Sequence, residues 1–353
     1  MTEQRVFFAT NREELVRKGA VSGFGKQLNT RSPLWLRYRT ANMRAPTRKG
    51  ASYSVEKLAV AAEQIPGVTA STTATVRLGS TLVLDEVRVG LGASRSDVLL
   101  FIHGFSTTFD AALSHSAELA TAYAPSPQTL EPACFSWPAD GDVVPYLSYA
   151  SDRDDGRASA KAVARALQRL LDYLRALDRR DWCGAKLHLV AHSMGCYVLR
   201  HALQALLSDF GERPLPRLFG QVFLMAADED HDAFEHAHKL ARLPELAEAV
   251  HVYYARNDRA LVVSDLTKAN PDRLGSTGPR MLTLLPHKVT LVDCSEVSAT
   301  GSVRDAGHQY YRKRAEVLAD VRAVLGGLEP DQIPNRQWQA QRACYRLRPN
   351  AAP

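Results

Sequence analysis

Ser193 stands in the run Lys186-Leu187-His188-Leu189-Val190-Ala191-His192-Ser193-Met194-Gly195-Cys196-Tyr197-Val198-Leu199. There a short apolar segment halts, crosses a serine and a glycine, and resumes with helical spacing. The pattern predicts strand, tight turn and helix, with the serine on strained backbone at the apex and its hydroxyl clear of the sheet. Strand and helix nearly touch at such a turn, so the residues two before and two after must be small. Ala191 and Gly195 meet that need, the first as alanine where glycine is commoner. A serine so placed is a nucleophile once a base takes its proton and an acid orients the base. Acid and histidine then follow the serine in that order, each at the C-terminal tip of a later strand. Asp258, in Ala255-Arg256-Asn257-Asp258-Arg259-Ala260-Leu261, and His308, in Asp305-Ala306-Gly307-His308-Gln309-Tyr310-Tyr311, fill those places. Asp228, in Ala226-Ala227-Asp228-Glu229-Asp230, is the alternative acid, at the end of an earlier apolar run. The later position favours Asp258.

An acyl-transfer site also needs N–H groups for the developing oxyanion. The loop His103-Gly104-Phe105 closes a buried apolar run, and its Phe105 N–H is one expected donor. The other is the N–H of Met194, directly after the nucleophile. Gly104 lets the backbone turn closely, and His103 is read as holding the loop by a side-chain hydrogen bond. Gly104, Trp137, Tyr146 and Tyr149 are the expected substrate-binding residues. The pocket would be framed by the segments 105–109, 137–149 and 264–280, with Leu147 adding to an apolar wall. The cluster Asp228, Glu229, Asp230, His231, Asp232, His236 and His238 carries neither a His-Glu-x-x-His helix nor a calcium-loop spacing. It is read as a solvated acidic loop rather than a metal site. His192 is read as a packing or loop residue, and Gly23-Phe24-Gly25 is too short for a nucleotide loop.

These residues need strands to carry them. Val98–Ile102 is apolar throughout, as a strand buried on both faces requires, and a helix is expected over Thr107–Tyr123. A short strand Ala133–Trp137, stopped by Pro138, precedes an amphipathic helix over Asp155–Leu177. On that helix Val163, Ala166, Leu167, Leu170, Leu171 and Leu174 share one face. Further strands end at Ala191 and cover Gly220–Ala227, Ala249–Ala255 and Lys288–Asp293, before a last helix over Tyr310–Leu325. Alternating strands and helices predict a mostly parallel, doubly wound α/β sheet. The first ninety-five residues are irregular: Val6–Thr10, Leu34–Arg39 and Leu82–Val89 read as extra antiparallel strands at the sheet edge, and Val55–Ile65 as a helix. Residues 327–353 read as a tail that wraps the surface or is partly disordered, with little core material beyond Trp338 and Tyr345.

With 353 residues, 45% hydrophobic and 23% charged, the chain has the composition of a soluble globular protein. No apolar run approaches the roughly 20 residues that a membrane-spanning helix needs. The opening Met1-Thr2-Glu3-Gln4-Arg5 lacks a signal peptide's apolar stretch, which leads to an expectation of a cytoplasmic protein without stable membrane insertion. Five scattered cysteines, none in a Cys-x-x-Cys pair, read as reduced thiols. The net charge of +6 is densest at Arg31–Lys49 and Arg336–Arg348, and no nucleic-acid module accompanies it, so no nucleic-acid partner is expected.

Phe101-Ile102-His103-Gly104-Phe105, Ser136-Trp137-Pro138, Ala191-His192-Ser193-Met194-Gly195 and Asn257-Asp258-Arg259-Ala260-Leu261 together resemble the α/β-hydrolase superfamily. More narrowly the chain is similar to a bacterial branch of uncharacterised esterase- or lipase-like hydrolases. Val6-Phe7-Phe8-Ala9-Thr10-Asn11-Arg12 and Arg273-Leu274-Gly275 share in that likeness. The resemblance spans about Val6 to Leu325 and implies one α/β-hydrolase domain over residues 1–326. It implies a Ser193, His308, Asp258 mechanism; the expected substrate is a small acyl ester, with no cofactor. It leaves the substrate open, because the superfamily hosts many chemistries. The alternatives are a lipase or phospholipase working at a membrane surface, helped by the basic face, and a non-catalytic binding protein that keeps the fold. Oligomeric state is not legible.

Overall fold

Apolar runs bounded by small or turn-forming residues become strands, and amphipathic runs become the helices between them. The computed structural model describes residues 3–48, 50–63, 77–94, 96–139, 145–178, 181, 183–261, 272–298 and 307–350. The chain divides into two units, one of Met1–Ala120 with Thr129–Lys186, the other of Thr121–Gln128 with Leu187–Pro353.

In the first unit the strands are β1 (Glu3–Thr10), β2 (Arg12–Arg17), β3 (Ala20–Leu28), β4 (Arg37–Arg44), β5 (Ser54–Ala62), β6 (Asp97–Ile102) and β7 (Leu130–Ser136). The helices are α1 (Gly79–Ser94), α2 (Phe109–Tyr123), whose last turn counts with the second unit, and α3 (Pro145–Ala176). The sheet runs β6-β7-β1-β4-β5. Its first three strands are parallel, whereas β4 and β5 are antiparallel additions at the edge. Strands β2 and β3 pair apart as a hairpin. Phe8, Phe24 and Phe109 tie that hairpin to the sheet, with ring centroids 4.7 to 5.9 Å apart.

Three sequence expectations are corrected here. Residues Leu82–Val89 lie in α1, not in a strand. The β-branched content is overridden at the helix start, where the buried Glu63 carboxylate accepts the Ser80 N–H and hydroxyl at 3.0 and 2.9 Å. A carboxylate there satisfies an orphan donor and complements the helix dipole. Residues Val55–Ala62, expected helical, form β5, which pairs antiparallel with β4 along its length. Strand β4 begins at Arg37 and runs to Arg44, later than the expected Leu34–Arg39.

The second unit holds β8 (Leu187–His192), α4 (Met194–Phe210), β9 (Phe219–Met225), β10 (Ala247–Tyr254), α5 (Leu274–Thr277), β11 (Val289–Asp293) and α6 (Ser295–Ser298). It ends in α7 (Tyr310–Lys313), α8 (Ala315–Leu325), β12 (Arg336–Gln339) and β13 (Cys344–Leu347). The sheet order is β8-β9-β10-β11-β13-β12, parallel except for the outermost strand. The core consists of β8 to β10 with Tyr197, Tyr253 and Tyr310, all nearly without exposed surface. The expected last helix is interrupted at Arg314, which has extended φ and ψ.

The C-terminal segment is not a surface wrap. Strand β13 adds to β11 in parallel. Arg336 forks onto the Asp320 carboxylate of α8 at 2.7 and 2.8 Å, with both side chains at 1% exposure or less. A two-pronged buried pair holds this segment down, together with buried Ile333, Cys344 and Leu347. The fold is thus α/β, mostly parallel, with extra antiparallel N-terminal strands, as expected. Among the described residues no helix is long and apolar enough to cross a membrane.

Candidate active site

Strand β8 ends at His192, and Ser193 turns the chain into α4 with φ 54° and ψ −122°. A non-glycine residue held there stores about 1 to 3 kcal/mol and persists only where its surroundings over-determine it. They do so here. The Ser193 N–H donates to the Met225 carbonyl at 2.9 Å, and the Ser193 carbonyl accepts from Cys196 and Asp228 N–H at 3.0 and 3.1 Å. Met194 opens α4, so its N–H has no acceptor inside the helix and lies at the positive end of the helix dipole.

Asp258 follows β10 in a tight turn whose backbone closes from Asp258 N–H to the Ala255 carbonyl at 3.2 Å. Its carboxylate is fully buried, with Oδ1 accepting the Ala260 N–H at 3.1 Å. Oδ2 accepts from His308 Nδ1 at 2.7 Å. That bond places the imidazole proton on Nδ1 and leaves Nε2 as the basic nitrogen. The two loops fit closely: Gly307 has φ +74°, and a Cβ there would stand 3.2 Å from the Asn257 carbonyl oxygen. Asn257 is itself fixed, donating to the Ser295 carbonyl at 3.1 Å and accepting from the Ser298 hydroxyl at 2.5 Å. His192, the residue before Ser193, touches His308. Its ring centroid lies 4.7 Å from that of His308, and its Nε2 donates to the His308 carbonyl at 3.3 Å.

Asp228 is placed differently. Its buried carboxylate is ion-paired with Arg273 Nε at 3.8 Å, and Arg273 also bonds Asp230. Arg200 reaches Glu229 at 3.4 Å, and Lys239 bridges Asp230 and Asp232. The expected solvated acidic loop is therefore corrected to a largely buried network neutralised by three cations. Like-charged carboxylates this close need the partners to stay ionised. Among the described residues no group of three or more His, Cys, Asp or Glu is placed to hold a metal ion.

Sequence reasoning noticed Arg273-Leu274-Gly275 without giving it a task. It wedges the ends of β9 and β10: Gly275 N–H donates to Ala227 and its carbonyl accepts from Ala255, at 2.9 and 3.0 Å. A Cβ on Gly275 would meet Ala227 N at 2.3 Å. Only glycine allows that approach.

The chain matches, over residues 86–327, the family described as "Alpha/beta hydrolase of unknown function (DUF900)". It belongs to this family. It is also similar to "Uncharacterized protein alr1448" of Nostoc sp., 30% identical over 161 residues, which are 38% of this chain and 39% of that protein. The match thus spans well under half of that relative's length. No solved structure matches the chain.

In the first unit of this alpha/beta hydrolase, the loop after β6 is braced from several sides. Trp137 donates its indole N–H to the His103 carbonyl at 2.8 Å and stacks on the His103 ring at 5.0 Å. His103 Nδ1 donates to the Gly104 carbonyl at 2.9 Å, and burial, with Arg12 adding to it, holds that imidazole neutral by lowering its pKa well below the usual value. Buried Asp152 of α3 accepts the Ser106 N–H at 3.1 Å. Arg12, 1% exposed, donates to Thr107 O at 2.7 Å, Ser136 Oγ at 2.9 Å and Gly25 O at 3.0 Å. Sequence reasoning noticed Thr10-Asn11-Arg12, a polar stretch ending an apolar strand, without giving this arginine a task.

Phe105 is half-buried, its ring 5.8 Å from Tyr149. Gly104 is buried, and Trp137, expected to frame the pocket, has no exposed surface and supports the loop instead. Tyr146 falls on α3, but its side chain and Leu147's lie outside the described residues, as do positions 140–144 and 264–271 of the expected pocket segments.

Proposed function

We propose that this alpha/beta hydrolase is a serine hydrolase that cleaves carboxylic esters through Ser193, His308 and Asp258. The 2.7 Å bond from His308 Nδ1 to the buried Asp258 carboxylate, beside a serine held at positive φ, carries this reading. His308 Nε2 takes the Ser193 proton as Oγ attacks the carbonyl carbon, and the Met194 N–H receives the oxyanion. His308 then hands the proton to the leaving alcohol. Water, deprotonated by the same nitrogen, releases the acid from the acyl-enzyme. Asp258 keeps the histidine in the productive tautomer and stabilises the imidazolium.

The segment between β9 and β10 offers no bulky cap: Ala233, Phe234, Leu240 and Leu243 are buried within the unit. Each buried methylene adds only about 0.8 kcal/mol, so a shallow site stops rewarding longer chains early. The test is a series of p-nitrophenyl esters with wild type and Ser193→Ala. Expected are turnover of short to medium acyl chains, a loss of about 10³-fold or more in the variant, and no rise in rate on emulsified long-chain triglyceride. Turnover that survives Ser193→Ala defeats the proposal. Steep activation by the emulsion replaces it with a lipase acting at surfaces.

A further inference from the structure

The residue before the nucleophile touches the base. His192 is the last residue of β8, 5% exposed. One face of its ring is stacked on Tyr311 of α7, with centroids 4.1 Å apart and planes at 23°. Its Nε2 lies 3.3 Å from the main-chain carbonyl of His308. A carbonyl only accepts, so Nε2 carries a proton and donates it. The stack fixes the ring plane that aims that donor.

Other contacts hold His308 from its side chain and from the far side. Asp258 takes Nδ1. Two residues after His308, the hydroxyl of Tyr310 donates to the Tyr253 carbonyl at 2.9 Å and accepts the Ala226 N–H at 3.1 Å. These contacts tie the base to β9, β10 and the acid loop. The bond from His192 ties its backbone to the strand that carries Ser193. Because His192 and Ser193 are consecutive, a shift of one moves the other, and the bond transmits position from nucleophile to base directly.

We infer that His192 is a positioning residue: its Nε2–H, aimed by the Tyr311 stack, sets the spacing between His308 and Ser193. This rests on the proposed serine mechanism. It assigns His192 no proton transfer and no contact with substrate. Losing the bond leaves substrate binding alone and reduces the fraction of time in which Nε2 of His308 is within reach of Oγ. Reacting groups displaced by about 1 Å cost about 10²-fold in rate, so the effect falls on kcat and not on KM.

Three variants separate the donor from the ring. Gln places an amide nitrogen near the position of Nε2, whereas Asn is polar but too short, and Phe keeps the stack without a donor. The full-length chain is assayed for kcat and KM on a short p-nitrophenyl ester, for the rate of inactivation by a fluorophosphonate, and for Tm. Expected are kcat and inactivation rates at least tenfold lower in His192→Phe and His192→Asn, KM within twofold, and His192→Gln within about threefold of wild type. If His192→Phe fails to fold, the Asn and Gln pair carries the same comparison. Near-wild-type kcat in the Asn and Phe variants overturns the inference, and so does a Gln variant as slow as Phe. Wild type that is inert to both ester and fluorophosphonate defeats instead the serine mechanism beneath it.

Discussion

Replacing Asp258 by asparagine changes one oxygen to an amide nitrogen, and the structure says which. Oδ1 accepts the Ala260 N–H at 3.1 Å inside a buried turn, so the asparagine oxygen stays there. The amide NH2 then faces His308 Nδ1, where Oδ2 accepted a hydrogen bond at 2.7 Å. Two donors cannot share that bond. His308 moves its proton to Nε2, which no longer has a lone pair to take the serine proton, and no carboxylate stabilises an imidazolium. The equivalent tautomer fault costs about 10⁴ in kcat in a serine protease, so Asp258→Asn is expected to lose about 10³ to 10⁴, or about 4 to 5.5 kcal/mol of barrier.

Asp228→Asn is the control. It weakens a 3.8 Å ion pair with Arg273, which retains Asp230. The expected cost is about 1 to 3 kcal/mol of stability for a partly compensated buried charge, with kcat within about tenfold of wild type. Steady-state rates on a short p-nitrophenyl ester and urea midpoints on the same preparations give both numbers. If Asp228→Asn loses more turnover than Asp258→Asn, the tautomer argument is refuted and the acid moves to the end of β9.

Two further outcomes concern stability. Arg336→Met leaves the Asp320 carboxylate buried without its two-pronged partner, and should lower unfolding free energy by about 3 to 5 kcal/mol. A loss below 1 kcal/mol would contradict the role given to β12 and β13 docking. Burial, with the Arg336 guanidinium adding to it, holds His251 down to about 3, and its Nδ1 has no hydrogen-bond partner. The unfolded chain protonates this residue near the ordinary pKa of about 6.5. Its contribution is therefore full above that pH and is lost as pH falls towards 3, at about 1.4 kcal/mol per pH unit. His251→Gln should flatten the stability slope between pH 6 and 4 by about one proton; parallel slopes would show that the imidazole is protonated in the fold.

The parallel strands were legible because each is a buried apolar run ending in a small or turn-forming residue, and those ends place Ser193 and Asp258. Misreadings came where tertiary partners outweigh local preference. Val83, Val87 and Val89 favour strand, yet Glu63 nucleates a helix from a distance that no local window sees. Glu56, Lys57, Leu58, Ala59 and Ala61 favour helix, but a sheet edge was open to them. The C-terminal strands were invisible because each is only four residues long and is held partly by a buried Arg336 and Asp320 pair. The role of Arg12 was not legible because its partners, two backbone carbonyls and the Ser136 hydroxyl, are brought to it by the fold. The sequence leaves Asp258 and Asp228 as two candidates for the acid; in the structure Asp258 pairs with His308 and Asp228 with Arg273.

The central claim is that Ser193 is a nucleophile activated by His308. Intact-mass analysis after exposure to a fluorophosphonate, followed by peptide mapping, reads this most directly. A single adduct on the peptide carrying Ser193 is predicted for wild type, with none on Ser193→Ala and only slow labelling of His308→Ala. No adduct on wild type, or one that persists on Ser193→Ala, would contradict the account.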